Sequence, residues 1–336
     1  MSRITVIGAG SWGTALAIQL ARAGSEVSLW GRDASAMSEM AQNRVNSRYL
    51  PDAQFPELLQ VATDWDHALA DCSRILISVP SHAFRAVLED LRETLGDSIK
   101  TLELAWATKG FELDTGLLPH QVVREVIPDC SHYAVVSGPT FALEVGAGLP
   151  TAITVAGNSE DWSNRLAQSL RTRNFIAYTS TDIIGVEIGG AVKNALAIGA
   201  GLSDGLGFGA NARVAMINRG LRELSRLGLA LGAKEETFIG LAGMGDLVLT
   251  CTDNQSRNRR MGLALAAGKS IDEACEEIGQ VVEGIGAASA VHAEAKRLNV
   301  SMPIIEQIYR VVAEGVAPRD AVETLLEREL NAGSEN

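Results

Sequence analysis

Ile4-Thr5-Val6-Ile7-Gly8-Ala9-Gly10-Ser11-Trp12-Gly13, continued by the helix-forming run Thr14 to Ala23 and stopped at Gly24, is the stretch that decides the fold. A short β-branched apolar strand runs straight into G-x-G-x-x-G, and the glycines open a helix. Each glycine has its own task in that setting. Gly8 permits the tight turn, Gly10 leaves room for backbone to approach a pyrophosphate, and Gly13 lets the helix pack closely on the sheet. The helix N-terminus then presents N–H groups and the positive end of its dipole to the anion. The same glycines would also serve a plain strand-to-helix turn, but the surrounding βαβ pattern favours a dinucleotide site. The next strand-like run, Glu26 to Trp30, leads into Gly31-Arg32-Asp33. At that point an acidic residue would hold an NAD ribose and an arginine would accept the 2′-phosphate of NADP. Both residue types are present, so the stretch by itself leaves the choice open.

Outward from this unit, further apolar runs recur at Arg74 to Val79, Thr101 to Ala105, Tyr133 to Ser137, Thr151 to Ala156 and Phe175 to Tyr178, with helix-like segments between several of them. The alternation predicts an α/β fold whose N-terminal part is a Rossmann-type, mostly parallel sheet. From about Asp182 the period changes to that of helices, over Val186 to Ala200, Ala212 to Leu231, Ser270 to Ile278, Ala287 to Leu298 and Ile304 to Glu314. A C-terminal all-helical domain is expected. The boundary is placed near Thr179 to Asp182, giving a dinucleotide-binding domain over 1–180 and an all-α substrate and catalytic domain over 181–336. No proline or long linker marks it, which predicts a packed interface of the kind that houses ligands. The tail Asn331 to Asn336 reads as disordered.

Composition removes several classes of function. With 29 Lys and Arg against 41 Asp and Glu, the net charge is −12, so no global positive field exists to hold nucleic acid or an anionic membrane. An anionic ligand must be met by a local cluster. Cys72, Cys130, Cys251 and Cys275 form no C-x-x-C, and His67, His82, His120, His132 and His292 show no ligand spacing. No metal is expected, and a reducing cytoplasm fits the cysteines best. Arg3, the apolar run after it and Ala21-Arg22-Ala23 imitate a signal peptide, but Gly8, Gly10 and Gly13 interrupt it where a nucleotide turn needs them. No stretch of about 18 uninterrupted apolar residues follows, so neither secretion nor membrane insertion is expected.

Two features of the second half carry chemistry. In Gly185-Val186-Glu187-Ile188-Gly189-Gly190-Ala191-Val192-Lys193-Asn194, helical spacing puts Gly185, Gly189 and Lys193 on one face. A strip without side chains leads up to a lysine, where a ligand or the other domain could come close. Desolvation and nearby cations would shift that lysine towards acid–base use. Lys193 is therefore the catalytic candidate, against the alternative of a small-residue packing face with a snorkelling lysine. The second feature is Asp246 followed by Asn254-Gln255-Ser256-Arg257-Asn258-Arg259-Arg260. Three arginines with Ser and Asn in an acidic protein make a candidate phosphate site, and Asp246 could orient the lysine or a substrate hydroxyl. A solvated basic helix start is the other reading of the same run.

With these blocks assembled, the chain resembles the bacterial-type NAD(P)-dependent glycerol-3-phosphate dehydrogenase family over nearly its whole length. The resemblance lies in Gly8 to Gly13, Ala107-Thr108-Lys109-Gly110-Phe111-Glu112, Ser137-Gly138-Pro139-Thr140-Phe141-Ala142, Gly189 to Asn194, Thr252 to Arg260 and Gly279-Gln280-Val281-Val282-Glu283-Gly284. It implies a homodimer that makes glycerol 3-phosphate for phospholipid synthesis. It implies Lys193 as the proton-transfer residue, and Lys109, Gly138, Thr140, Asp246, Ser256, Arg257 and Asn258 at substrate positions. Ser11, Trp12, Arg32, Lys109, Ala142, Arg257, Val281 and Glu283 match cofactor positions, and Arg32 inclines the preference to NADPH over NADH. The reaction implied is hydride transfer to C2 of dihydroxyacetone phosphate with Lys193 protonating the alkoxide, Lys109 and Asp246 positioning it, and Arg257 and Asn258 holding the phosphate.

One departure stands after Glu283. Family members often carry an aromatic and then a polar residue there, whereas this chain has Ile285-Gly286-Ala287-Ala288. A different β-hydroxyacid dehydrogenase, akin to 6-phosphogluconate dehydrogenase, would share the glycine turn and a helical domain with a lysine. A non-catalytic dinucleotide sensor would keep the glycines without needing Lys193, Asp246 and the arginines together.

Overall fold

The computed structural model describes residues 3–70 and 72–333. Its strands are β1 Ile4–Ile7, β2 Val27–Trp30, β3 Val45–Asn46, β4 Leu50–Gln54, β5 Leu59–Ala62, β6 Arg74–Ile77, β7 Glu103–Trp106, β8 His132–Ser137, β9 Thr151–Gly157 and β10 Phe175–Ser180. Eight of them form one sheet in the order β10-β9-β8-β7-β6-β1-β2-β5, and β3 pairs with β4 in a separate hairpin. All neighbours in the large sheet are parallel except β8 and β9. The run β5-β2-β1-β6-β7-β8 is the doubly wound order, with the chain reversing its direction of progress beside β1.

Burial explains why these short runs become parallel strands. Ile4, Val6, Ile7, Val27, Leu29, Ile75, Leu76 and Ile77 are all buried, as strands covered on both faces require. Thr5 is buried among them, and its hydroxyl donates to the Ala68 carbonyl at 2.7 Å, so its polar atom is not stranded. Register aligns Ile7 with Trp30 and Ile77, Ile77 with Trp106, and Trp106 with Val135. The C-terminal ends of β1, β2, β6, β7 and β8 therefore lie along one edge of the sheet. Ligands of open α/β sheets bind at that edge.

The chain divides into two compact units, the first comprising Met1–Lys109 and Leu117–Glu187 and the second Gly110–Gly116 and Ile188–Asn336. The division runs inside the helix Ile183–Gly205. That helix is long and apolar enough to cross a membrane, but 89% of its apolar window is buried, as in a core helix. In the second unit it is joined by helices Gly209–Ala230, Asp246–Thr252, Arg257–Ala266, Ile271–Ile278, Glu283–Arg297, Pro303–Glu314 and Pro318–Gly333.

Several local expectations are corrected. The run Thr101 to Ala105 begins as a 3-10 turn, Gly96–Thr101, and its strand is Glu103–Trp106. The hairpin and β5 are not foreseen from the sequence, because β5 is a four-residue edge strand whose Gln60 faces solvent and whose alternation is too short to register. Asn331 to Gly333 belong to the last helix rather than to a disordered tail, and residues 334–336 lie outside the described residues.

Candidate active site

At the sheet edge, the glycine turn is tight at both ends and open in the middle. A Cβ on Gly8, whose φ is +114°, would stand 2.3 Å from the Ser78 carbonyl oxygen, and one on Gly13 would stand 1.9 Å from the Gly8 oxygen. A Cβ on Gly10 would meet nothing within 4 Å. The first and third glycines are thus consumed by packing against β6 and within the turn, while the second faces free space. Gly10 caps helix Ser11–Arg22 without a side-chain bond, and the buried indole N–H of Trp12 has no partner. Open backbone, unpaired N–H groups at a 12-residue helix start and an orphaned indole donor fit a dinucleotide pyrophosphate.

The neighbouring strand ends add side chains. Arg32, just past β2, is exposed and has no partner among the described residues. Asp33 is the N-cap of helix Ala34–Asn43, its carboxylate accepting from the Ala36 N–H at 3.0 Å. The ambiguity of that pair in the sequence resolves into a free guanidinium and a carboxylate occupied by a cap. Beyond β7, the Thr108 hydroxyl donates to the Val79 carbonyl at 2.8 Å, joining the segment that ends in Lys109 to the end of β6. Gly138, beyond β8, has φ +151° and would place a Cβ 3.0 Å from Ile153 Cα. The Thr140 hydroxyl donates to the Gly138 carbonyl at 3.2 Å, and Ala142 starts helix Ala142–Ala147. The first unit thus gathers Gly8, Gly10, Ser11, Trp12, Gly13, Arg32, Lys109, Gly138, Thr140 and Ala142 along the sheet edge.

In the second unit the lysine is built by a close helix contact. A Cβ on Gly189 would stand 2.2 Å from the Ala242 carbonyl oxygen, so only glycine lets the π-helical segment Leu241–Gly245 lie against helix Ile183–Gly205. At Gly189 the bare face is therefore filled by this unit's own backbone. That contact brings Asp246 onto the lysine. Lys193 Nζ donates to Asp246 Oδ1 at 2.5 Å and to Thr250 Oγ1 at 3.0 Å, and Thr250 donates in turn to the Asp246 carbonyl at 2.6 Å. Lys193 is 7% exposed and Asp246 0%. One charged group in contact with the lysine is the Asp246 carboxylate. Beside them Cys251 is held as a thiol, burial pushing it up to about 12 against the opposing pull of Lys193.

A second crossing positions the arginine run. Cβ atoms on Gly201 and Gly262 would stand 2.1 Å from the Arg259 oxygen and 2.0 Å from the Ile198 oxygen, so the two helices meet backbone to backbone. Asn258 then donates to Asn194 Oδ1 at 2.9 Å and accepts from the Gly284 N–H at 2.9 Å, while Asn194 donates to Glu283 Oε2 at 3.3 Å. The three arginines divide. Arg259 is buried and spends its guanidinium on Asp204, Asn254 and the Cys251 carbonyl. It is a structural ion pair, neither a solvated charge nor a phosphate ligand. Arg260 has its Nε buried without a partner, and Arg257 is half-buried with no partner among the described residues. The Ser256 hydroxyl caps this helix through the Arg259 N–H at 3.2 Å.

Val281 is 57% exposed, just before the helix that Glu283 begins. The unusual Ile285 to Ala288 stretch lies in that helix, where a Cβ on Gly286 would touch Leu113 at 3.3 Å. A small residue there is matched to the Leu113 side chain of the segment Gly110–Gly116. Thr250, Asn194 and Asn46 are not singled out by the sequence. Only Asn194 carries an available signal, standing next to Lys193. No group of His, Cys, Asp and Glu among the described residues is arranged to hold a metal. His120 is a core residue, its Nδ1 2.5 Å from Glu187 Oε2, while the other oxygen of Glu187 accepts from the Trp106 indole at 3.0 Å.

Two family models match this chain: NAD-dependent glycerol-3-phosphate dehydrogenase N-terminus over residues 3–163, and the C-terminus of the same family over 182–323. A glycerol-3-phosphate dehydrogenase (NAD(P)+) of Shewanella frigidimarina is 54% identical over 98% of this chain and 96% of its own. One of Nitrosococcus oceani is 55% identical over 97% of this chain and 94% of its own. The crystal structure of glycerol-3-phosphate dehydrogenase from Coxiella burnetii superposes with a TM-score of 0.92 at 46% identity, covering 97% of this chain and 99% of that one.

Proposed function

The chain belongs to the NAD-dependent glycerol-3-phosphate dehydrogenase family, and from that membership we propose that it interconverts dihydroxyacetone phosphate and sn-glycerol 3-phosphate with NAD(P)H, NADPH being preferred. The observation that carries the chemistry is the buried Lys193 held between Asp246 and Thr250. A bound reduced dinucleotide supplies the hydride for C2 of the ketone. Lys193 Nζ gives a proton to the carbonyl oxygen as negative charge develops there, and takes it back in the opposite direction. Asp246 and Thr250 fix the rotamer of a side chain that otherwise has four free torsions, so little orientation is left to lose in the transition state.

The phosphate is assigned to Arg257, with Ser256 and the second amide proton of Asn258 as neutral donors. The remaining assignments are Lys109, Gly138 and Thr140 to the substrate, and Gly8, Gly10, Ser11, Trp12, Gly13, Arg32, Lys109, Ala142, Arg257, Val281 and Glu283 to the dinucleotide. Unit one serves as the dinucleotide-binding domain and unit two as the substrate and catalytic domain. A homodimer working in the cytoplasm completes the proposal, supported by family membership and by cysteines that are free thiols. The test is to follow NAD(P)H absorbance on adding dihydroxyacetone phosphate. Oxidation of NADPH giving glycerol 3-phosphate is expected, and no turnover with either dinucleotide would sink the assignment.

A further inference from the structure

The β3–β4 hairpin touches the glycine turn through one buried side chain. Asn46 is 1% exposed, and its Nδ2 donates both to the Ala9 carbonyl at 3.1 Å and to Thr14 Oγ1 at 2.8 Å. Its own carbonyls hold the hairpin loop, since the Tyr49 N–H reaches Asn46 O at 3.2 Å and Oδ1 at 3.3 Å. Arg44 anchors the other end of the hairpin, donating to the Leu59 carbonyl at 2.8 Å and the Pro56 carbonyl at 2.7 Å. The amide that grips the turn is thus itself fixed on both sides.

Ala9 is the middle residue of the first G-x-G, and the peptide that follows it is trans, as every described peptide bond is. In a trans peptide the C=O and the N–H point in opposite directions. With the Ala9 carbonyl drawn inward to Asn46, the Gly10 N–H faces away from the hairpin, and it has no partner among the described residues. Without the amide the Ala9–Gly10 peptide would be free to rotate, because glycine permits both hands of backbone. The inward bond is what makes the outward donor stationary.

We propose that Asn46 is a positioning residue for dinucleotide binding: by holding the Ala9 carbonyl it aims the Gly10 N–H at the pyrophosphate. This rests on the reading of the turn as a dinucleotide site. Asn46→Asp keeps the shape and reverses the hydrogen-bond polarity, leaving the Ala9 carbonyl facing a carboxylate. NADPH binding, titrated by intrinsic fluorescence on the full chain without substrate, should weaken by roughly tenfold or more, the scale of one buried hydrogen bond turned into a mismatch. KM for NADPH should rise in parallel while KM for dihydroxyacetone phosphate stays within about twofold. Asn46→Ser supplies a second, milder variant should the first fold poorly, with the same split expected at smaller size. Thr14→Val removes the other partner of the same amide and should leave NADPH affinity within about threefold. An unchanged Kd in both Asn46 variants overturns the proposal, as does an equal loss in Thr14→Val, which would mark a packing effect. If the wild-type chain itself fails to bind NADPH, the reading of the turn falls and this inference falls with it.

Discussion

The turn after β1 and the cluster around Lys193 present polar groups in different materials. The turn uses backbone: its donors are N–H groups, and its glycines admit the close approaches that leave those donors uncovered. The lysine cluster uses side chains, each partnered by another side chain from a distant segment. The difference teaches where precision comes from. A backbone site needs little beyond one short segment, here the strand, turn and helix with Asn46 of the hairpin holding the Ala9 carbonyl. A side-chain site is exact only after three helices have crossed at glycine contacts, so its geometry depends on the packing of the whole unit.

The largest effect should come from the centre of the side-chain cluster. Lys193→Met keeps length and apolar stem and removes the proton, so kcat should fall by about 10² to 10⁴ with NADPH affinity unchanged. Steady-state kinetics together with a fluorescence titration check it. A kcat near wild type would transfer proton transfer to another group. It would also dissolve the contrast, since the side-chain cluster would then bind without reacting.

Arg259 and Arg257 sharpen the contrast from within one helical turn. Arg259→Ala breaks a buried ion pair and leaves Asp204 with Arg213 alone, so stability should drop by about 3 kcal/mol, read as a shift in the denaturation midpoint. Arg257→Ala should leave the midpoint almost unmoved and weaken the phosphorylated substrate by roughly 1.5 to 3 kcal/mol. Turnover of unphosphorylated dihydroxyacetone should be affected much less. Equal losses on both substrates would show that Arg257 does not read the phosphate, and a large loss of stability would make it a second Arg259.

The same contrast explains how much of the fold and of the site is legible in the sequence. The dinucleotide turn is contained in ten consecutive residues, so strand, turn and helix signals overlap and the parallel sheet follows from their repetition. The lysine and the arginine run are visible as residue types. Their partners are not: Asp246 and Thr250 lie 53 and 57 residues from Lys193, and Glu283 lies 89 from Asn194. Glycine spacing on the helix raises the right question at Gly189, but periodicity cannot say whether a bare face receives a ligand or a carbonyl. The sorting of three neighbouring arginines into an internal ion pair and freer groups depends on Asp204, placed by the Gly201–Gly262 crossing. The β3–β4 hairpin is invisible because its two-residue strand carries too little pattern, although Asn46 within it grips the turn.

The smallest effect belongs to the one place where the sheet edge relies on an exposed side chain. Arg32 has no partner among the described residues, whereas Asp33 is committed to the Ala36 N–H, a cap worth about 1 kcal/mol of helix stability. The free guanidinium can therefore meet a 2′-phosphate, and the carboxylate would have to give up its cap to hold a ribose. Arg32→Asp removes an attraction and adds a repulsion, so the ratio of kcat/KM for NADPH over NADH should fall by about tenfold. Exposure keeps the effect modest, and raising ionic strength should shrink the wild-type preference for the same reason. Asp33→Ser supplies the control, since serine caps a helix as well as aspartate does and should leave the ratio within about twofold. A ratio unmoved in Arg32→Asp would remove Arg32 as the discriminating residue. A strong shift towards NADPH in Asp33→Ser would mean that the carboxylate leaves its cap to read the ribose, and discrimination would then rest on a side chain that switches partners.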